Sequence, residues 1–327
     1  MSSTAEIVNT ISRWLNYVFA IPMVIIGTVG ALLTTIVFIK HPSFVRNPTI
    51  HCLLAGAIMT ALHLPSVYLQ GILVEGFGLG VYNTNDIVCR EHHYLFYSTT
   101  VATISFPCWA AFDQYASTCR KAYFRNRWSS IRIARFAIIG TVIFWSIIYI
   151  PIIFISSIVN GVCVFIDSPL AKINDYFLTP IAYTIAPVTI IIIFTRGIIR
   201  ILHSNRSFNT HNHLRTQVRR MLIPQLIILS VSGIPFGLLS IYTQFTSKEH
   251  KDVLRLAIER LFLQIIRLFY HLNFVCSFYI YLYMSKEIRR IFKRLVFKYV
   301  GNNRIAPTEM SLNNTISLYT LKFINKA

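Results

Sequence analysis

Charge is scarce in this chain. Asp, Glu, Lys and Arg make up 13% of its 327 residues, against ~25% in a soluble domain, while 54% are hydrophobic and the mean hydropathy is +0.56. That balance excludes an ordinary soluble globule. Negative charge is scarcest, with 12 acids against 31 basic residues. No Ser/Gly/Pro linker or charge block leaves room for a soluble domain, and no internal repeat at a fixed period is evident, as would suit a transporter built from duplicated halves. The apolar runs also lack paired carboxylates, a metal set and a nucleophile–base spacing, which argues against an enzyme. A basic cluster of the kind that begins a cleavable signal is missing before the first run, so that run is expected to stay as a signal anchor.

What the chain does have is seven apolar runs, near 15–39, 49–73, 92–115, 133–157, 177–201, 218–243 and 259–284. Each is long enough for a hydrocarbon core of about 30 Å. Their flanks differ in charge. The loop with Lys40 and Arg46, the segment 120–135, the segment 196–220 and the chain from Lys286 hold 23 of the 31 basic residues. The opposite loops hold Glu75, Asp86, Glu91, Asp167, Asp175, Glu249, Asp252 and Glu259. The positive-inside rule then predicts an extracellular amino terminus and a cytoplasmic carboxyl terminus. The net +19 thus faces anionic lipid headgroups, worth ~1 kcal/mol per basic residue near the surface, and no nucleic-acid partner is expected.

Of the cysteines at 52, 89, 108, 119, 163 and 276, only Cys89 and Cys163 face the oxidising side in this topology. A disulfide between them would tie the loop holding Cys163 over the third span, and two free thiols are the alternative. No metal site is expected. His92-His93 and His211/His213 lack cysteine or carboxylate partners at zinc spacing, apart from Glu91 beside the first pair. The two Asn-x-Ser/Thr sequons, at Asn205 and Asn313, fall on the cytoplasmic side, so no glycosylation is expected.

Seven spans, an outer Cys89 and the triplet Asp113-Gln114-Tyr115 twenty-four residues later together resemble the rhodopsin-like G-protein-coupled receptors. Further matches are Trp145, Pro187, Pro235, Tyr281 and the basic stretch "SKEIRRIFKRLVFK", and the likeness covers residues 15–298. It implies an all-α membrane protein, a seven-transmembrane helix bundle with a short amphipathic eighth helix. The expected division is an extracellular terminus at 1–14, the membrane domain at 15–284, a cytoplasmic amphipathic helix at 285–298 and a tail at 299–327. In that last helix Ile288, Ile291, Phe292, Leu295 and Val296 share one face, as suits the membrane interface.

The resemblance also implies an extracellular ligand, best matched by a peptide, and a heterotrimeric G protein inside. It places ligand contacts at Tyr68, His93, Tyr97, Thr100, Tyr183, Gln264, Arg267, Tyr270 and His271. Arg267 is the sharpest, because a cation within a span costs about 2.5–3.5 kcal/mol and should face the bundle or a wet cavity, ready for a ligand carboxylate. A structural pair with Glu259 or Glu91, or snorkelling to the outer surface, is the alternative. An amine or retinal is disfavoured, since the positions that would hold an Asp or a Lys are Phe96 and His271. Hydroxyls at Thr308, Ser311, Thr315, Ser317 and Thr320 would serve arrestin if phosphorylated, and an unstructured polar tail is the alternative.

The switch residues depart from the family. Gln114 stands where an Arg is usual, and Arg215 where that Arg's acidic partner would lie, so both halves of the usual ion pair are missing. A neutral amide lacks a charge-assisted contact. The buried acid of the second span falls at Ile58, the first-span Asn at Ala31, and the aromatic before Pro235 at Gly233. Thr103 and Asn273 remain as polar neighbours without a charge, so no bound sodium is expected. G-protein signalling is the favoured expectation, through Asp113, Gln114, Tyr115, Arg215, Pro235, Asn273 and Tyr281. The alternative is a receptor-like protein that binds ligands or partners without activating G proteins, and a transporter or channel ranks below both.

Overall fold

The computed structural model describes residues 2–204, 213–246 and 249–300 and is 88% helical. That is what hydrocarbon demands of a backbone, because each N–H and C=O must be satisfied within the protein. Among the described residues the α-helices and β-strands run in the order α1 (Ser2–Leu15), α2 (Ile21–Lys40), α3 (Pro42–Val45), α4 (Pro48–His63), α5 (Leu69–Phe77), α6 (Asp86–Thr118), α7 (Ala122–Trp128), α8 (Ile131–Ile155), β1 (Ser156–Val159), β2 (Val162–Phe165), α9 (Pro169–Ile173), α10 (Ala186–Ser204), α11 (His213–Phe245), α12 (Val253–Met284) and α13 (Lys286–Val300).

Among the described residues, six helical stretches are long and apolar enough to cross a membrane: Thr4–Lys40, Pro48–Val74, Ile131–Ile155, Pro169–Ile201, Thr216–Phe245 and Val253–Met284. The run expected at 92–115 falls in α6, which is not among them. The reason is its composition, with Ser, Thr, Asp and Gln along its length. The helix packs against α4, α8, α10 and α11, so its Ser98, Thr100, Thr103, Asp113, Gln114 and Ser117 are buried against protein and not against lipid. The long helices close on themselves, since α12 packs beside both α1 and α2. Outward faces carry the lipid-type side chains, such as Phe136, Phe154 and Ile147, each more than half exposed.

Proline and cap chemistry set several boundaries. Asn47 accepts the Thr49 N–H at 3.0 Å with Pro48 in the first turn of α4, a standard helix start. Asn85 does the same for Ile87 at 2.8 Å. Helices α1/α2, α4/α5 and the approach to α10 each pass through π turns, at Asn16–Ala20, Leu64–Tyr68 and Ile181–Ile185. A π turn adds a residue to one helical turn and re-aims the side chains beyond it. Asn16, Tyr68 and Tyr183 sit on these three turns and are buried.

Residues through Ile288 form one compact unit. Its last residues include Ser285, fully buried, whose hydroxyl lies 3.3 Å from the Ile288 N–H. Helix α12 ends at Met284 and α13 begins at Lys286. Helix α13 runs to Val300, slightly past the expected 298. Helical structure also reaches back to Ser2, through most of the expected terminal segment 1–14. The tail hydroxyls from Thr308 onward, both sequons and His211 lie outside the described residues.

Candidate functional site

The segment expected as a loop after the fourth run is a β-hairpin. Strands β1 and β2 pair antiparallel with Ile158 opposite Cys163. Their turn is Asn160-Gly161, with φ of 53° and 74°, the left-handed pair that a tight two-residue hairpin needs. Cys163 is bonded to Cys89 near the start of α6, with Cα atoms 5.6 Å apart. Asn83 accepts the Cys163 N–H at 2.9 Å, and Asp86 accepts the Ile158 N–H at 2.8 Å. The hairpin is thereby fixed to the start of α6 on both sides of its turn.

Beside this hairpin lies a cavity of about 160 Å³. Five of the nine expected ligand contacts line it: Tyr68, His93, Tyr97, Gln264 and Arg267. His93 Nδ1 is 3.0 Å from Ser156 Oγ, and because that hydroxyl donates to the Ile152 carbonyl, the imidazole must be the donor. Its ring packs on Phe165 at 4.7 Å. Tyr97 lies among Phe96, Tyr149, Phe165 and Tyr183. Gln264 donates through Nε2 to the buried Asn16 Oδ1, joining α12 to the first π turn. Glu259, one alternative partner for Arg267, is engaged by Lys251 at 2.6 Å and Arg255 at 3.2 Å, and Glu91 is exposed.

The other four expected contacts do not reach the cavity wall. Thr100 turns its hydroxyl back to the Phe96 carbonyl at 2.6 Å. Tyr183 stacks on Phe236, and Phe236 on Tyr270, at 6.0 and 4.5 Å between centroids. His271 lies against Tyr68 at 3.7 Å. These four side chains are buried, and the Tyr68 ring, on the π turn at Leu64–Tyr68, lies against His271. The lining also includes Asn16, Tyr82 and His92, which the sequence reading did not select. Tyr82 and His92 stack at 4.2 Å. Asn16 had a signal of its own, a lone amide just inside the first apolar run.

Cys89, His93 and Cys163 bring potential metal-ligand atoms within 4.8 Å of one another, but the two sulfurs are bonded to each other and offer no thiolate.

At the opposite end of α6, Asp113 and Gln114 are both buried. Thr49 joins them. Its hydroxyl donates to the Asp113 carboxylate and accepts from Gln114 Nε2 at 2.7 Å. A neutral amide thus supplies one donor to the Thr49 hydroxyl that in turn serves the acid. Tyr115 is half-buried against Phe194 at 5.5 Å and over Gly197, where a Cβ would come within 2.7 Å of its ring. Arg215 lies in the first turn of α11, but its side chain is outside the described residues.

Between the two ends, α11 and α12 are tied by side chains. Tyr281 donates to Gln225 Oε1 at 2.5 Å, and Gln225 Nε2 donates to Ser277 Oγ at 3.2 Å. Above them is a small cavity of about 30 Å³ whose lining includes Thr34, Thr60, Thr103 and Asn273 but no charged residue. That is room for a water or two. Pro235 lies inside α11 and is followed by Phe236, which occupies the stack between Tyr183 and Tyr270. The missing aromatic at Gly233 is therefore offset three residues later. Trp145 bonds Ser105 Oγ at 2.9 Å, fixing α8 on α6. No protein-family model matches the chain, and a search of curated proteins returns no match.

Proposed function

We propose that the chain is a seven-span, rhodopsin-like receptor that carries an extracellular peptide signal to heterotrimeric G proteins by movement of its helices. In this reading α6 is the remaining span, shielded from lipid by its neighbours, and α13 is the amphipathic helix of the cytoplasmic interface. The amino terminus and the disulfide-tied hairpin are extracellular, in the plasma membrane. Arrestin would engage the tail once it is phosphorylated.

One observation carries the reading. A single helix, α6, has a lined cavity at its disulfide end and the buried Asp113–Thr49–Gln114 cluster at the other, as a signal crossing the membrane requires. Phe236 beside Pro235 gives the cavity floor a contact with the helix that would pivot.

The test is a screen of acidic and amidated peptides on cells expressing the parent chain, with G-protein activation recorded beside the Arg267→Ala and Gln114→Arg variants. The expected result is a parent response that Arg267→Ala weakens at least about tenfold, as for loss of a charged contact. Gln114 and Gly233 favour a second reading, a receptor-like protein that binds without coupling. A response from Gln114→Arg with none from the parent would select that reading.

A further inference from the structure

Beneath the cavity, two histidines face a problem of unsatisfied chemistry. His63 is fully buried and His271 is 3% exposed. Their ring centroids are 6.2 Å apart with planes only 10° from parallel. His63 Nδ1 is 2.9 Å from Thr99 Oγ1, and that hydroxyl gives its hydrogen to the Leu95 carbonyl. His63 Nδ1 must therefore be the donor. His271 Nδ1 meets the Arg267 carbonyl at 2.8 Å, so it too carries the hydrogen.

Neutral imidazole has one N–H and one lone pair. Both Nε2 atoms are thus bare acceptors, and both are buried with no hydrogen-bond partner among the described residues. A buried acceptor left unsatisfied costs about 1–3 kcal/mol. Two in one layer mark a place made to receive hydrogens.

The surroundings limit what can supply them. The cavity lining above holds no carboxylate, and Arg267 stands one turn from His271. A metal dication would add charge beside a guanidinium with only two neutral nitrogens as ligands, short of the usual three or four. A carboxylate would set its own lone pairs against those of the two rings. A primary amide has the opposite character. Its NH2 group presents two hydrogens for the two acceptors, and its carbonyl oxygen is an acceptor for Arg267.

We infer that the histidine pair is a recognition site for a primary carboxamide on the ligand, rejecting the matching carboxylate. The inference rests on the cavity being the ligand site. Neither imidazole lines the cavity; Tyr68 lines it and stacks on His271, so the amide reaches the pair only when that ring swings aside. The amide comes either from an amidated peptide terminus or from a small molecule.

The experiment uses the full chain in lipid nanodiscs. It is offered mixed-sequence octapeptide pools that differ only in ending as an amide or a free acid, and, separately, benzamide beside benzoate; retained molecules are measured by mass spectrometry. The expected result is retention of amides over acids by at least about tenfold, near parity in His63→Phe and His271→Phe, and partial recovery of the preference in His271→Gln, which keeps an acceptor. Retention of amidated peptides alone assigns a peptide terminus, and retention of benzamide alone assigns a small amide. Parity or acid preference in the parent, retention of neither chemistry, or a preference that survives both Phe variants overturns the inference. Folding of each variant is checked independently by ¹⁵N NMR of the remaining histidine, whose Nδ1 stays protonated if the layer is intact. Amide preference without G-protein activation leaves this inference standing and removes the signalling reading, while activation by an acid-preferring ligand does the reverse.

Discussion

Thr49 changes how the Asp113-Gln114-Tyr115 triplet is understood. The triplet alone shows an acid and an amide on adjacent positions of a helix, where side chains point in different directions. The structure brings in a hydroxyl from 64 residues earlier that bonds to both, and nothing in the local spacing points to it. Loss of that hydroxyl leaves buried polar groups short of a partner. Thr49→Val is expected to destabilise the protein by about 1–3 kcal/mol, read as a lower thermal midpoint in detergent, with Thr49→Ser close to the parent. A neutral Thr49→Val would mean that Asp113 is held by other contacts. The same limit explains the cavity. Arg267, His93 and Tyr97 were legible as polar or aromatic residues in an apolar run, whereas the stacking of His271 under Tyr68 involves a π turn that no periodicity displays.

Among the elements, long helices were legible because hydrophobic length alone specifies them in a membrane. The hairpin carries a small local signal, Asn160-Gly161 between Val159 and Val162, but its first strand continues directly from an apolar run, which masks the strand period. The contact between α11 and the π turn leading into α10 is hidden in the sequence. A Cβ on Gly237 would lie 2.6 Å from Thr184 Oγ1 and 2.7 Å from its Cγ2, so glycine lets the two helices meet beside Pro235, as small residues do between membrane helices. Gly237→Ala is expected to cost about 1–3 kcal/mol through overpacking, and adding Thr184→Ala should restore most of it. Thermal midpoints of the two single variants and the double variant decide this, since strict additivity would show that the side chains do not meet. The Gln225–Tyr281 bond holds α11 against α12, and Tyr281→Phe is expected to raise basal G-protein activation if that bond restrains the resting state; unchanged basal activity would assign it to packing alone.

For the whole molecule, composition announced a membrane protein, and the charge asymmetry of the loops announced a direction. The number of spans was less secure in the sequence than it looked. Helix α6 has 33 residues but is not among the six stretches apolar enough to cross a membrane, and its polar side chains are buried within the protein. If it crosses, the two termini lie on opposite sides. An epitope at the amino terminus should then bind antibody on intact cells, and one at the carboxyl terminus only after permeabilisation; labelling of both termini under the same condition would remove the seven-span account.

The claim that the chain couples to G proteins despite Gln114 is tested most directly by guanine-nucleotide exchange. Purified chain in nanodiscs is mixed in turn with each class of heterotrimer, with empty nanodiscs as the reference and Gln114→Arg alongside. The account predicts that the parent accelerates exchange on at least one heterotrimer above the empty discs. Exchange indistinguishable from empty discs on every heterotrimer, with acceleration by Gln114→Arg, would contradict it.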